Sequence, residues 1–102
     1  MTDRPRRLTV SEVQDALAEL PGWNIAGDKL HREFTFPGFV EAFSFMSAVA
    51  LVAESMNHHP DWSNSWNKVT VDLVTHSLGG ISTFDVALAR RMEALATTDK
   101  RA

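Results

Sequence analysis

The hydrophobic positions of the chain change spacing several times, and each change marks a new element. The first apolar stripe has helical spacing and consists of Val13, Ala16, Leu17 and Leu20. It predicts a helix that is capped by Thr9 or Ser11. The helix is expected to end at about Leu20, because a Pro-Gly pair follows.

Two extended segments come next. Residues 23–25 and the alternating stretch 29–36 are separated by a turn at 26–28, which predicts an antiparallel hairpin. In the second strand, Leu30, Phe34 and Phe36 point to one side. Arg32 is the one residue on that side that breaks the apolar pattern.

A long apolar region predicts the central helix, which begins at Phe39 after Pro37-Gly38 and ends at about Asn57. Its expected buried face consists of Phe39, Phe43, Met46, Ala50 and Ala53, widened by Val40, Val49, Val52 and Met56. This helix is expected to be the core helix, and its surplus apolar width leaves room for a subunit contact.

A second hairpin follows the central helix. Pro60 disfavours helix at His59, so the helix is expected to end just before the histidine pair. The alternation of large and small residues over 62–66 predicts a strand, and residues 67–68 suit a tight turn. The next strand is expected to run to His76, with Val69 and every second residue after it on one side.

The last element is predicted to be a helix capped by Ser82, after the Gly-Gly pair at 79–80 redirects the chain. Its expected buried stripe is Phe84, Leu88, Met92 and Leu95. The element order predicts an α+β fold, α-β-β-α-β-β-α, with a four-stranded antiparallel sheet and three helices on one face. We expect one domain over residues 1–102, with flexible ends at 1–8 and 97–102.

Composition and charge argue against several classes of protein but do not identify the function. A chain of 102 residues has room for one core. The absence of cysteine excludes disulfides and thiolate metal sites and fits a cytoplasmic location. No apolar run near the roughly 20 residues of a membrane span is expected, and the basic N-terminus lacks the apolar segment of a secretory signal. A net charge of −3 argues against nucleic acid as the main partner.

The polar chemistry is concentrated between Glu54 and Asp85, a stretch with three of the four histidines and two of the three tryptophans. Glu54 and His58 are four residues apart, so they share a face if the helix persists. His76 returns to the level of His58 and His59 in an antiparallel pair. Because histidine exchanges protons near neutral pH, this arrangement predicts an acid–base site with aromatic walls.

Structural roles are alternatives for several of these residues. His58 could be a helix C-cap, Trp62 and Trp66 could be core or interface aromatics, and Asp85 could be the acidic partner of the Ser82 cap. A zinc site made by His58 or His59 with His76 and Glu54 is disfavoured, because the chain has no paired-histidine spacing of the HExxH kind.

The same residues resemble the signature of the pterin-4a-carbinolamine dehydratases. The matching positions are Glu54, His58, His59, Pro60, Trp62, Asn64, Trp66, Asn67, Val69, Thr75, His76, Gly79 or Gly80, Ile81, Ser82 and Asp85. The resemblance spans about nine-tenths of the chain and extends upstream to Gly22-Trp23. It departs at Trp66, where Tyr is commoner, and at Phe84, where several members have a basic residue.

The resemblance implies dehydration of 4a-hydroxytetrahydrobiopterin to quinonoid dihydrobiopterin, which recycles the cofactor of aromatic amino acid hydroxylases. It implies that His58 and His76 are the acid–base groups and that His59 orients the pterin. The implied supporting residues are Glu54, which contacts the pterin or a histidine, Pro60 and Trp62, which wall the pocket, and Asp85, which positions His76 or the ring. The chemistry needs no metal and no redox cofactor.

The resemblance also implies partners and a competing role. A homodimer or homotetramer is expected, an aromatic amino acid hydroxylase is a candidate partner, and neither nucleic acid nor membrane is expected. Some relatives act as a dimerisation cofactor of a homeodomain transcription factor, and some related domains are assembly chaperones. The complete histidine set favours the enzyme over a non-catalytic protein-interaction module.

Overall fold

A computed structural model describes residues 4–99. The helices are α1 (Val10–Ala18), α2 (Phe39–Met56) and α3 (Thr83–Asp99), and the strands are β1 (Asn24–Ala26), β2 (Lys29–Thr35), β3 (Asp61–Ser65) and β4 (Lys68–Leu73). A single 3-10 turn, His76–Leu78, lies between β4 and α3 in this part of the chain. The predicted α+β class and element order are confirmed.

The four strands form one antiparallel sheet in the order β1-β2-β4-β3. The pairing of β2 with β4 joins the two predicted hairpins, and it places Phe34 opposite Val69 and Leu30 opposite Leu73. These side chains are buried on the helix-covered face. Side chains alternate along a strand, so the other face carries the partly or fully exposed residues His31, Glu33, Thr35, Asp61, Ser63, Ser65, Lys68, Thr70 and Asp72.

The core lies between this sheet and the three helices. Phe34, Phe36 and Phe45 pack together, and the ring centroid of Phe45 lies 4.7 Å from that of Phe34 and 5.0 Å from that of Phe36. Leu88 and Met92 of α3 are fully buried in the same cluster. Full burial of such a side chain stabilises the fold by about 1.5–3 kcal/mol.

The segment before α1 is bonded to the start of α3. The Leu8 N–H donates to the Ile81 carbonyl at 2.9 Å, and the Thr83 N–H donates to the Arg6 carbonyl at 3.0 Å. Thr9, one of the two predicted cap residues, caps α1 in a reciprocal box with Glu12. Residues 6–8 of the expected flexible N-terminus therefore make specific contacts, while residues 1–3 and 100–102 lie outside the described part.

Arg32 lies among the apolar residues on the helix-covered side of β2, and its charge is paired with a carboxylate. Its Nε donates to Glu93 Oε2 of α3 at 2.9 Å, and the Trp23 indole donates to the same oxygen at 2.7 Å. The guanidinium carbon also lies 4.3 Å from the centroid of the Phe34 ring. One charged side chain can occupy this position because its charge is satisfied at the edge of the core.

The predicted buried face of α2 is wrong in part. The buried residues are Ala42, Phe45, Val49 and Ala53, whereas Phe39 is 51% exposed and Phe43 is 56% exposed. The helix is apolar on nearly every side, so periodicity could not select the inward face. Packing against the sheet and α3 selects it.

The expectation that no segment is long and apolar enough to span a membrane also needs correction. Among the described residues, α2 meets that criterion by length and composition. Its contacts with β4 and α3, through a face that includes Phe45 and Val49, are those of the core helix of a globular domain.

The β3–β4 turn lies at Trp66-Asn67, one residue before the predicted position. Trp66 has a positive φ of 50° and a largely exposed side chain. The Asn64 side-chain amide donates to the carbonyls of Trp66 and Lys68, which holds the turn. Trp62, opposite Val71, faces the helices and packs against the core.

Candidate active site

The C-terminus of α2 sets the direction of the histidine pair. Asn57 adopts the left-handed conformation with φ 51°, and the His58 N–H donates to the Ala53 carbonyl at 3.0 Å. This arrangement ends the helix and turns the chain. The helix does not persist to His58, so the condition under which Glu54 and His58 would share a helix face is not met.

His58 is paired with a fully buried carboxylate. Its Nε2 lies 2.6 Å from Asp85 Oδ1, and only 11% of the histidine side chain is exposed. The family resemblance implies that Asp85 positions His76 or the pterin ring; of the two histidines, the carboxylate contacts His58 and not His76. In a bond to a carboxylate acceptor Nε2 is the donor, which leaves Nδ1 as the other ring nitrogen.

The second carboxylate oxygen of Asp85 accepts two hydrogen bonds from nearby residues. Oδ2 accepts hydrogen bonds from the Thr75 hydroxyl and the Ser82 N–H, both at 2.8 Å. The predicted link between Asp85 and the Ser82 cap is therefore present. These donors hold the carboxylate in one orientation, which in turn orients the His58 ring.

Two buried hydroxyl groups complete this network. The Thr75 and Ser82 oxygens are 2.6 Å apart, and Ser82 Oγ accepts from the Phe84 N–H at 3.1 Å. Because the Thr75 hydrogen is directed to Asp85, Ser82 donates to the Thr75 oxygen. The network links the end of β4 to the first turn of α3.

The other two motif histidines are more exposed. His59 Nε2 lies 2.8 Å from Glu54 Oε1. His76 lies in the 3-10 turn, not at the end of the strand as predicted, and its Nε2 is 3.6 Å from Asp61 Oδ2. Both imidazoles are more than half exposed, so they are accessible to a ligand.

One open cavity of about 360 Å³ brings the three histidines together. Its lining residues are Asn57, His58, His59, Asp61, Val74, Thr75, His76 and Ser77. The predicted convergence of His58, His59 and His76 is thus observed. Glu54 and Asp85 contact two of these histidines without lining the cavity themselves.

The predicted aromatic wall is absent from this lining. Pro60 and Trp62 are not among the described residues that line the cavity, and Trp62 packs against the core. Sequence reasoning missed Asn57 and Asp61 as cavity residues. Asp61 directly follows the motif proline, but an isolated acidic residue in a strand carries no sequence signal for a site.

A second cavity lies between α1 and the start of α3. Its volume is about 300 Å³ and it has no histidine in its lining. Three of its charged lining residues are in ion pairs. Glu12 pairs with Arg6, which is not part of the lining, and Glu19 pairs with Arg90. This cavity offers no acid–base group comparable to the histidine cluster.

Within residues 4–99, the histidine cluster does not have the arrangement of a metal site. Across residues 4–99, no three His, Asp or Glu side chains lie close enough together to hold an ion. Each cavity histidine is instead close to one carboxylate. Such pairs suit proton transfer and the orientation of a polar ligand.

The fold and the cluster define a class of small α+β proteins in which three histidines line one cavity. A sequence model of the family described as pterin 4 alpha carbinolamine dehydratase matches residues 6–95. The chain therefore belongs to the pterin-4a-carbinolamine dehydratase family, as the motif indicated.

Individual relatives agree with this assignment. A Solibacter usitatus protein, provisionally named pterin-4-alpha-carbinolamine dehydratase, is 50% identical over 90 residues, which cover 88% of this chain and 95% of that protein. The crystal structure of a transcriptional coactivator/pterin dehydratase from Brucella melitensis matches with a TM-score of 0.87 and 44% identity, over 89% of this chain and 99% of the other.

A more distant structural relative has a different role. It is a pterin dehydratase-like protein identified as a RuBisCO assembly factor in the alpha-carboxysome. The match has a TM-score of 0.60 and 25% identity, and it covers 72% of this chain and 86% of that protein. Proteins that resemble this fold therefore include one described as an assembly factor.

Proposed function

We propose that the protein dehydrates 4a-hydroxytetrahydrobiopterin to quinonoid dihydrobiopterin and water by histidine acid–base catalysis. The observation that carries this proposal is the convergence of His58, His59 and His76 on one cavity. The substrate is the 4a-hydroxylated cofactor that an aromatic amino acid hydroxylase leaves, and its dehydration to quinonoid dihydrobiopterin is a step in recycling that cofactor. We place it in the cytoplasm, with such a hydroxylase as the functional partner.

The reaction needs two proton transfers and no net oxidation. The bond between C4a and the hydroxyl oxygen breaks, and an acid protonates the oxygen so that it leaves as water. A base removes the N5 proton, and the electron pair of that N–H bond forms the double bond between N5 and C4a. Histidine suits both roles at neutral pH.

The geometry suggests how the roles are divided. We assign the base to His58, because the buried Asp85 carboxylate at 2.6 Å stabilises the imidazolium that proton uptake creates. His76 is exposed to the cavity and is assigned as the acid for the leaving hydroxyl. His59, held by Glu54 at 2.8 Å, is assigned to orienting the pterin ring.

The test is the dehydration of freshly generated 4a-hydroxytetrahydropterin, followed by absorbance with and without a chelator. We expect the wild type to exceed the uncatalysed rate, and His58→Gln and His76→Gln each to lower kcat by about 100-fold. His31→Gln is the matched control, since His31 lies outside the cavity. A wild type no faster than buffer would refute the enzyme proposal.

We further propose that the protein forms a homodimer or homotetramer through α2. The exposed face of this helix carries Phe39, Val40, Phe43 and Leu51, and an apolar patch of this kind marks an interaction surface. A second copy is the proposed occupant, in line with the oligomers that the family resemblance implies. Sedimentation of the wild type and Val40→Glu tests this, with a lower mass expected for the variant.

A non-catalytic interaction module is the alternative function. The exposed α2 face and the assembly role described for the RuBisCO-associated relative favour it. The alternative predicts that the protein lacks dehydratase activity and that α2 variants lose partner binding while cavity variants do not. Measured dehydration that depends on His58 and His76 would exclude it as the sole function.

A further inference from the structure

We propose that Asp61 is a positioning residue for His76, orienting its imidazole for proton transfer in the cavity. The inference rests on the proposed function. It assigns a role to a residue that the sequence motif leaves unspecified, because the motif has an unnamed position between Pro60 and Trp62.

The two residues meet through the β3–β4 pairing. Asp61 is the first residue of β3 and lies opposite Asp72 near the end of β4. His76 follows β4 in the 3-10 turn, so the antiparallel pairing returns it to the start of β3. Asp61 Oδ2 lies 3.6 Å from His76 Nε2, and both residues line the cavity.

A repeated pattern supports the assignment, because each cavity histidine has its own carboxylate. The pairs are His58 with Asp85 at 2.6 Å, His59 with Glu54 at 2.8 Å and His76 with Asp61 at 3.6 Å. The first two carboxylates belong to the sequence motif. Asp61 completes the set, and it comes from a different element than either of them.

The neighbouring carboxylate on β4 has a separate partner. Asp72 is directly opposite Asp61, an arrangement that is unfavourable for two like charges. However, Asp72 Oδ1 lies 2.8 Å from His31 Nδ1 on the adjacent strand β2. Each carboxylate of this opposed pair therefore contacts a different histidine, and Asp61 is the one that faces the cavity.

The Asp61–His76 contact is exposed to solvent in the free protein, and this exposure limits its contribution to stability. Both side chains are more than half exposed in the free protein, so their interaction contributes little to folding. A ligand that fills the cavity excludes water, and opposite charges attract more strongly in the less polar surroundings that result. We therefore expect the pair to affect turnover and not stability.

The experiment compares Asp61→Asn, Asp61→Glu and the matched control Asp72→Asn. Asp61→Asn is expected to lower kcat about tenfold, to change KM by less than about twofold, and to leave Tm unchanged. Asp61→Glu should recover most of kcat. Asp72→Asn removes the same charge from the neighbouring position and should leave kcat within about twofold of the wild type.

A second measurement does not depend on activity. The imidazole ¹⁵N resonances of the substrate-free protein report the state of each histidine directly. Asp61→Asn is expected to shift the His76 resonances, whereas Asp72→Asn should shift those of His31 and move His76 less.

The possible results separate this inference from the proposed function. Unchanged His76 resonances or an unchanged kcat in Asp61→Asn overturns the positioning role, and so does a rise in KM alone, which would make Asp61 a substrate ligand. If the wild type shows no dehydratase activity but the His76 resonances shift in Asp61→Asn, the proposed function fails while the pairing of the two residues stands.

Discussion

His58 Nε2 lies 2.6 Å from Asp85 Oδ1, although the two residues are 27 positions apart in the chain. One stands just beyond the end of α2 and the other in the first turn of α3. Their contact joins the end of α2 to the start of α3, and it gives the most buried histidine of the cavity a carboxylate partner. We therefore expect this pair to contribute both to stability and to the proposed acid–base chemistry.

Replacing Asp85 with Asn is expected to reduce both properties. The amide retains the shape but loses the charge that stabilises a protonated His58, so kcat/KM should fall by about 100-fold. A buried hydrogen-bond partner is also lost, which should lower the free energy of unfolding by about 1–3 kcal/mol. Asp15→Asn, an exposed change on α1, is the control for kinetics and urea unfolding. A kcat/KM within about twofold of the wild type would contradict the role of Asp85.

The pH dependence of stability should contain a contribution from Glu12. Its hydrogen bonds with Arg6 and the Thr9 N–H lower the pKa of this carboxyl from 4.5 to about 2. Because the pKa in the folded state is depressed, the stabilisation is complete above the unfolded value and is lost as the pH falls towards 2.

Thermal unfolding of Glu12→Gln at several pH values tests this contribution. The variant should have a slightly lower Tm than the wild type at pH 6, and the difference should shrink between about pH 5 and pH 2. Glu19→Gln is the matched control, since the Glu19 side chain pairs with Arg90 but is not part of the N-terminal capping box of α1. A Tm difference that stays constant over this range would refute the assignment.

Glu93 is expected to stabilise the fold without affecting the chemistry. Its Oε2 accepts from both Arg32 and Trp23, so Glu93→Gln should lower the free energy of unfolding by about 1–2 kcal/mol. Dehydratase kinetics should be unchanged, because Glu93 does not line the histidine cavity. Glu33→Gln on the open face of β2 is the control for urea unfolding. Equal stability of the two variants would contradict the bridging role of Glu93.

Two phenylalanines on α2 test which face of the helix is buried. Phe45 is fully buried, so Phe45→Ala should cost about 3–5 kcal/mol of unfolding free energy at any protein concentration. Phe43→Ala should cost far less in dilute protein, since its side chain is 56% exposed.

Protein concentration distinguishes packing within one chain from packing between copies. If Phe43 contacts a second copy, the effect of Phe43→Ala on Tm should grow with protein concentration. A large effect of Phe43→Ala that does not depend on concentration would show that this residue belongs to the monomer core.

The sequence by itself determined the elements and their order. Local interactions carry this information: the Thr9–Glu12 capping box, the alternation in β2 and the Pro-Gly breaks act between residues a few positions apart. The family and the convergence of the three histidines could also be predicted, because the motif is dense and its antiparallel hairpin is short.

Only the tertiary structure decided which side chains pair across the fold. Asp85 contacts His58, which follows the left-handed Asn57 at the end of α2, and spacing along a helix could not predict this contact. The inward face of α2 was also undetermined, because a helix that is apolar all round has no preferred side until the sheet and α3 pack against it. Periodicity describes one element at a time, whereas these contacts depend on how separate elements are placed.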